Sequence, residues 1–246
     1  MTIMTTGRLR QYSLVIAATM LMTLTACEKE NESSDNSVTE EEAVEVMAQG
    51  VSGESGGLST QVESTAAVAA ATPATCGYSS SDTAFGALNV VRGNITYSYE
   101  GSMNRQLVCD GGLPQSFSFN YTGENSYTGP RMSSADNTSA GFVITGLSPL
   151  TAQYVFNASY VRNGTQQSKV RLQRSIESKL TITSSNITVD KITKKIVSGT
   201  VSVVFNGSVV GKAGSGNASY EGSFTFQGNR TGTLVLKNGA SYTIQW

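Results

Sequence analysis

Eight carboxylates follow the second cysteine of the chain: Asp82, Glu100, Asp110, Glu124, Asp136, Glu177, Asp190 and Glu221. They are the side chains best suited to chemistry, because two acids flanking a glycosidic bond suffice to hydrolyse it. Glu100 and Glu221 share the local sequence Ser-Tyr-Glu-Gly-Ser and come nearest to a pair. Both alternate with aromatic residues, which places them on the wet face of a strand as solvated charges. Gly53-Glu54-Ser55-Gly56-Gly57 fits the G-x-S-x-G nucleophile elbow, which needs a strand before it, a helix after it and a histidine partner. A helical pattern precedes it instead, and the chain has no histidine. That absence also removes Ser-His-Asp and Cys-His catalysis and any imidazole metal site. Asp-rich calcium loops, P-loops and Ser-x-x-Lys motifs are missing too. The sequence therefore predicts no enzyme, no catalytic residue, no cofactor and no metal, and points to a binding or interaction module.

The N-terminus reads as an address. Arg8 and Arg10 precede an apolar stretch, Leu14 to Met22, and Leu24-Thr25-Ala26-Cys27 follows. A positive start, a short apolar run and a small-residue cleavage site make a secretory signal over 1–26. The apolar run is shorter than the ~20 residues of a spanning helix. Leu-Thr-Ala-Cys resembles the lipobox of bacterial lipoproteins. The resemblance implies that Cys27 becomes the mature N-terminus and is acylated. Acyl chains contribute ~0.8 kcal/mol per buried CH₂, so several on one residue anchor a protein to a membrane without spanning it. Glu28-Lys29-Glu30-Asn31-Glu32 is similar to the export signals of surface-exposed lipoproteins in some Gram-negative bacteria, departing from the run of acids at Asn31. A solvated linker is the other reading of that stretch. The whole chain looks like an envelope lipoprotein of Gram-negative bacteria, which implies an outer-membrane location, facing the periplasm or the cell surface, and implies no active site.

Charge divides the rest. Residues 28–75 carry ten acids against Lys29 alone, whereas 76–246 carry fourteen Lys/Arg against eight Asp/Glu. The plan is an acidic tether, 27–75, joined to a basic domain, 76–246. The near-neutral total argues against nucleic acid as a partner. Within the tether, Thr39-Glu40-Glu41-Glu42 fits a capping box with Val38 and Ala43 placed as a staple. Ala43, Val44, Met47, Ala48 and Val51 then share one helical face, and Gly53 to Gly57 stop the helix. Thr60-Gln61-Val62-Glu63 is a second box, followed by an Ala/Val run that Pro73 ends. Both helices are short for independent stability, so they form only if packed on each other or on the domain. As a coil, the segment would reach roughly 40 Å.

From about residue 94 the hydrophobic period becomes two. Ile95, Tyr97 and Tyr99 alternate with polar residues, as do Phe117, Phe119 and Tyr121. The same holds for Tyr154 to Tyr160, Val170 with Leu172, Leu180 with Ile182, Val201 to Phe205, Tyr220 to Phe226, and Tyr242 to Trp246. One buried face and one wet face mean antiparallel sheet. The fold expected is mainly β, an up-and-down meander of about ten strands at ~8–12-residue spacing, preceded by two short helices. Asn163-Gly164, Asn206-Gly207 and Asn238-Gly239 are read as type I′ hairpin turns. Cys76 and Cys109, the cysteines beyond Cys27, are expected to form a disulfide in an oxidising exported setting.

Lys169, Arg171, Arg174, Lys191, Lys194 and Lys195 form a basic stretch that fits anionic polysaccharide, lipid headgroups or the acidic tether itself. Three arrangements of the sheet stay open. One curves around an apolar cavity, lidded by the helices, and carries a lipid or other hydrophobic ligand. Another is a filled sandwich whose surface binds a glycan or an envelope protein. The last is an integral outer-membrane barrel, suggested by the terminal Tyr-Thr-Ile-Gln-Trp.

Overall fold

The computed structural model describes residues 37–53, 55–82, 88–169, 173–210 and 216–245. The signal segment, Cys27, residues 28–36, Glu54, Val170, Arg171, Leu172 and Trp246 lie outside the described residues. Every element described belongs to one compact unit.

Helix α1 spans Glu40–Val51 and opens on the first capping box: the Glu42 amide donates to Thr39 Oγ1 at 3.3 Å, and the Thr39 amide donates to Glu42 Oε2 at 3.0 Å. Helix α2 spans Leu58–Ala71 and starts three residues before the helix that the second box predicts. That box does not form. Gly57 is the N-cap, Thr60 Oγ1 donates to Gly53 O, and Glu63 turns to the Ile196 amide and the Lys195 ammonium. Tertiary partners outcompete the local cap for both side chains.

Among the described residues eleven strands follow: β1 (Ser79–Asp82), β2 (Leu88–Arg92), β3 (Ile95–Asp110), β4 (Leu113–Thr128), β5 (Met132–Thr145), β6 (Gln153–Ser168), β7 (Ser175–Asp190), β8 (Ile196–Val209), β9 (Ala218–Phe226), β10 (Thr231–Leu236) and β11 (Ser241–Gln245). All neighbours pair antiparallel, and from β3 to β11 the spatial order is the chain order. Strands β1 and β2 share the free edge of β3. The sheet is the expected meander and is not closed into a barrel.

The strands are longer than the expected spacing allows, because two predicted turns are not turns. Asn163-Gly164 lies inside β6 and Asn206-Gly207 inside β8. Each glycine faces inward where a side chain has no room. A Cβ on Gly164 would sit 2.2 Å from Ala135 O, and one on Gly207 would sit 2.5 Å from the Phe205 ring. Asn238-Gly239 does turn, but as a three-residue loop with Gly239 alone at positive φ (+92°), closed by the Leu236 amide on Ala240 O at 2.8 Å. Among the described residues two turns have both central residues at positive φ: Gly111-Gly112 between β3 and β4, and Asn229-Arg230 between β9 and β10, the latter closed by the Thr231 amide on Gly228 O at 3.0 Å. Gly-Gly meets the same steric demand as Asn-Gly.

A flat sheet of ten strands at ~4.8 Å spacing is ~43 Å wide, about twice the breadth of two packed helices. Yet the segment containing α1 and α2 reaches across it. Gly56 packs on Tyr97 of β3, Gly50 packs on Leu180 of β7, and Val38 O accepts from Tyr220 of β9. Glu40 accepts from Tyr242 of β11. The sheet therefore curls around the helices, and they fill its concave side. Val46, Met47, Val51, Leu58 and Val62 are all at most 2% exposed and share one core with the inward aromatics of the sheet. The helices meet the condition set for them, packing on the domain. The compositional boundary at 75/76 accordingly runs through a single core.

The alternation is apolar inward and polar outward, the reverse of a membrane barrel with its outward apolar band. Among the described residues no helix is long and apolar enough to cross a membrane.

Cys76 and Cys109 are bonded, with their Cα atoms 5.9 Å apart. The bridge fastens the segment after α2 to the far end of β3. Closing a loop of this size contributes roughly 3–4 kcal/mol through the unfolded chain. Replacing both cysteines by serine should lower the urea midpoint accordingly without changing the far-ultraviolet spectrum, and an unchanged midpoint would remove the bridge from the stability account.

Candidate functional site

Two polar constellations stand out, one inside the sheet and one outside it. The inner one runs over β4, β5, β6 and β7. Arg162 donates through Nη2 to Asp136 Oδ2 and to Ser134 Oγ, the latter at 2.8 Å. Gln166 donates to the other Asp136 oxygen at 2.8 Å and accepts from Ser178 at 2.7 Å. Asn125 donates to Thr138 and accepts from the Tyr97 hydroxyl. Arg162 and Asp136 are almost wholly buried. Burial raises the phenol pKa values of Tyr97, Tyr121 and Tyr160, so these hydroxyls stay protonated, and that of Tyr97 donates to Asn125. This network is sealed from solvent and joins strands; it is structural.

The outer constellation is a row set by register. Glu100 of β3 stands opposite Glu124 of β4, Glu124 opposite Asn137, Asn137 opposite Asn163, Asn163 opposite Lys179, Lys179 opposite Asn206, and Asn206 opposite Ser219 of β9. All are exposed. Two adjoining depressions of about 660 and 650 Å³ run along the row and share Asn137 and Asn163. Their floor is made by small inward-facing residues, among them Gly101, Gly123, Gly164 and Gly207, which leave the backbone uncovered. Aromatic rings explain several of these glycines. A Cβ on Gly123 would lie 2.1 Å from the Tyr121 hydroxyl, as one on Gly207 would meet Phe205. The aromatic-x-Gly pattern inside strands thus builds both the core and the groove.

The predicted site residues distribute as follows. Cys76 and Cys109 form the disulfide, and Cys27 lies outside the described residues. Glu100 and Glu221 are both on the outer face, as the alternation predicts, and are not brought together: Glu100 faces Glu124, and Glu221 pairs with Lys237 at 2.5 Å. Ser55 is buried between the two helices, and its hydroxyl donates to the Gln49 carbonyl. The basic stretch is split between the two ends of β7, ~50 Å apart at ~3.3 Å per residue. At one end Arg174 grips the buried Glu42 through two nitrogens. Burial opposes the Glu42 charge, but the bonds from Arg174 and Thr39 outweigh it and hold the carboxyl below its usual 4.5. The stability this gives is present above that value and is lost as pH falls through the lowered one. At the other end Lys195 pairs with Glu63 at 2.6 Å, and Lys191 lies 4.9 Å from the centre of the Tyr154 ring. Two of the five described basic residues therefore meet the protein's own acidic segment.

Fold and groove together define the class: an antiparallel meander wrapped on an N-terminal helix pair, with an open polar trough across its outer face. No protein-family model, no curated protein and no solved structure matches the chain.

Proposed function

We propose that the chain is an outer-membrane lipoprotein, exported by residues 1–26, acylated at Cys27, and displaying a domain that binds a ligand on its outer face and catalyses no reaction. One observation supports the binding half above others. The concave side is filled by the protein's own helices, whereas the outer groove carries a row of exposed polar side chains that bond no described residue. The anchoring half rests on the lipobox-like Leu24-Thr25-Ala26-Cys27.

A carrier of lipid is the second reading. It has one observation in its favour: Gln49, Ser59, Gln61 and Thr65 on the helices are buried with polar atoms that lack partners. Such groups weaken the seam along which helices would part from sheet.

Expression of the full chain in a Gram-negative host tests both halves. Cys27→Ser should abolish the acyl mass and move the protein out of the outer-membrane fraction. Retention in that fraction overturns the anchor. Native mass spectrometry of residues 28–246, purified without detergent, should give a bare mass, whereas a reproducible adduct of lipid mass overturns surface binding in favour of the carrier.

A further inference from the structure

We infer that the outer groove is a binding site for a linear glycan that is neutral or carries amino sugars, lying across strands β3 to β9 with roughly one sugar per strand spacing of ~4.8 Å. This rests on the reading of the domain as a surface binder and names its ligand class.

The first support is a row of side chains left unbonded. Some hydroxyls that stand opposite one another on the outer face satisfy each other, including Ser102 with Thr122 at 3.0 Å beside the row. Ser98 bonds Ser126 at 2.6 Å, Thr188 bonds Ser198 at 2.7 Å, and Thr200 bonds Thr225 at 3.3 Å. In the groove, Glu100, Glu124, Asn137, Asn163, Lys179 and Asn206 make no side-chain hydrogen bond or ion pair among the described residues. Each asparagine offers a donor and an acceptor at one end. A row of such amides, repeated strand by strand, matches a polymer whose hydroxyls offer donors and acceptors at every unit.

The second support is Glu100 beside Glu124. Like charges directly opposite in an antiparallel pair destabilise it. Neither acid has a cationic partner among the described residues, and the pair forms one end of the trough. A ligand supplying hydroxyl or ammonium donors there would relieve a repulsion the fold leaves standing.

Charge and surface exclude other classes. The groove holds Glu100, Glu124 and Glu177 against Lys179, an excess of acid that repels nucleic acid and anionic polysaccharide. Its walls are amides, carboxylates and hydroxyls, without the large apolar surface that a lipid chain needs. The open trough runs ~29 Å over six strand spacings. Such length and shallowness fit an extended chain rather than a compact small molecule.

The test uses residues 28–246 and a defined set of probes: cellohexaose, laminarihexaose, maltohexaose, chitohexaose and hexameric chitosan, read by amide chemical shifts and calorimetry. At least one should shift the amides around Asn137, Asn163, Lys179 and Asn206. Asn163→Ala combined with Asn206→Ala should weaken that binding by roughly tenfold or more at unchanged melting temperature. Asn157→Ala with Ser159→Ala, on the outer face of β6 beyond the groove, should leave it intact. Silence from every probe, equal loss in both variants, or an extended peptide binding this row in place of the sugars overturns the glycan assignment. Those failures leave the anchor standing, because acylation at Cys27 is read separately, and a lipid adduct would instead overturn surface binding as a whole.

Discussion

Replacing Arg162 by methionine is expected to destabilise the domain by roughly 3–5 kcal/mol, the usual cost of leaving one partner of a buried ion pair uncompensated. In a domain of this size that lowers the melting temperature by roughly 10 °C. The guanidinium reaches Asp136 and Ser134 together, and Asp136 keeps only Gln166 when it goes. The carboxylate then sits inside the sheet among aromatic rings, without the charge that balanced it. Adding Asp136→Leu to Arg162→Met should recover at least half of the loss, since an apolar pair of similar volume often replaces a buried ion pair at little cost. Urea unfolding of both single variants and the double variant gives the coupling directly. A midpoint within error of the parent for Arg162→Met would show that solvent reaches the pair, against its burial here.

Much of this arrangement could be read before any coordinates, and the limits of that reading are physical. Period-two alternation specifies which face of a strand is buried, so the inward set Tyr97, Phe117, Phe119, Phe156, Phe205 and Phe224 was legible, as was the meander. The disulfide followed from two cysteines in a chain whose N-terminus reads as an export signal. Asn163-Gly164 and Asn206-Gly207 misled because glycine has two uses that look alike in sequence. It supplies positive φ in a turn, and it makes room inside a strand for a neighbouring carbonyl or ring. Only the three-dimensional neighbours, Ala135 O for Gly164 and Phe205 for Gly207, tell them apart. Arg162 and Asp136 escaped for a related reason. Both stand at buried inward positions of their strands, and nothing local announces that they pair across the sheet. The groove row is a property of register. It joins residues from seven strands whose alignment depends on the bulges at Val108/Cys109 and Phe156/Ala158, and the alternation does not encode those.

The N-terminal segment gives the largest expected effect. Residues 76–246 expressed alone should fail to reach a cooperative fold: they should bind hydrophobic dye, aggregate, and lose the sharp transition of residues 28–246. Composition separates an acidic tether from a basic domain at that point, but the core ignores the division. Val46, Met47, Val51, Leu58 and Val62 are buried against the sheet. At ~1.5–3 kcal/mol for each large side chain buried, they contribute ~10 kcal/mol. The net stability of a whole domain is only ~5–15 kcal/mol. Truncation also strips Arg174 of Glu42 and exposes the inward tyrosines to water. A point change probes the same seam more finely. A Cβ on Gly57 would lie 2.5 to 2.6 Å from the carbonyl oxygens of Gln49, Gly50 and Ser52, which are backbone and cannot rotate aside. Gly57→Ala should therefore cost roughly 1–3 kcal/mol by overpacking. If residues 76–246 instead melt cooperatively at the temperature of the longer chain, the helices are an appendage and the inner face is free to hold a ligand. Protection of the bonds between Glu40 and Ala71 from added protease, in the intact chain, is the matching sign that they are core.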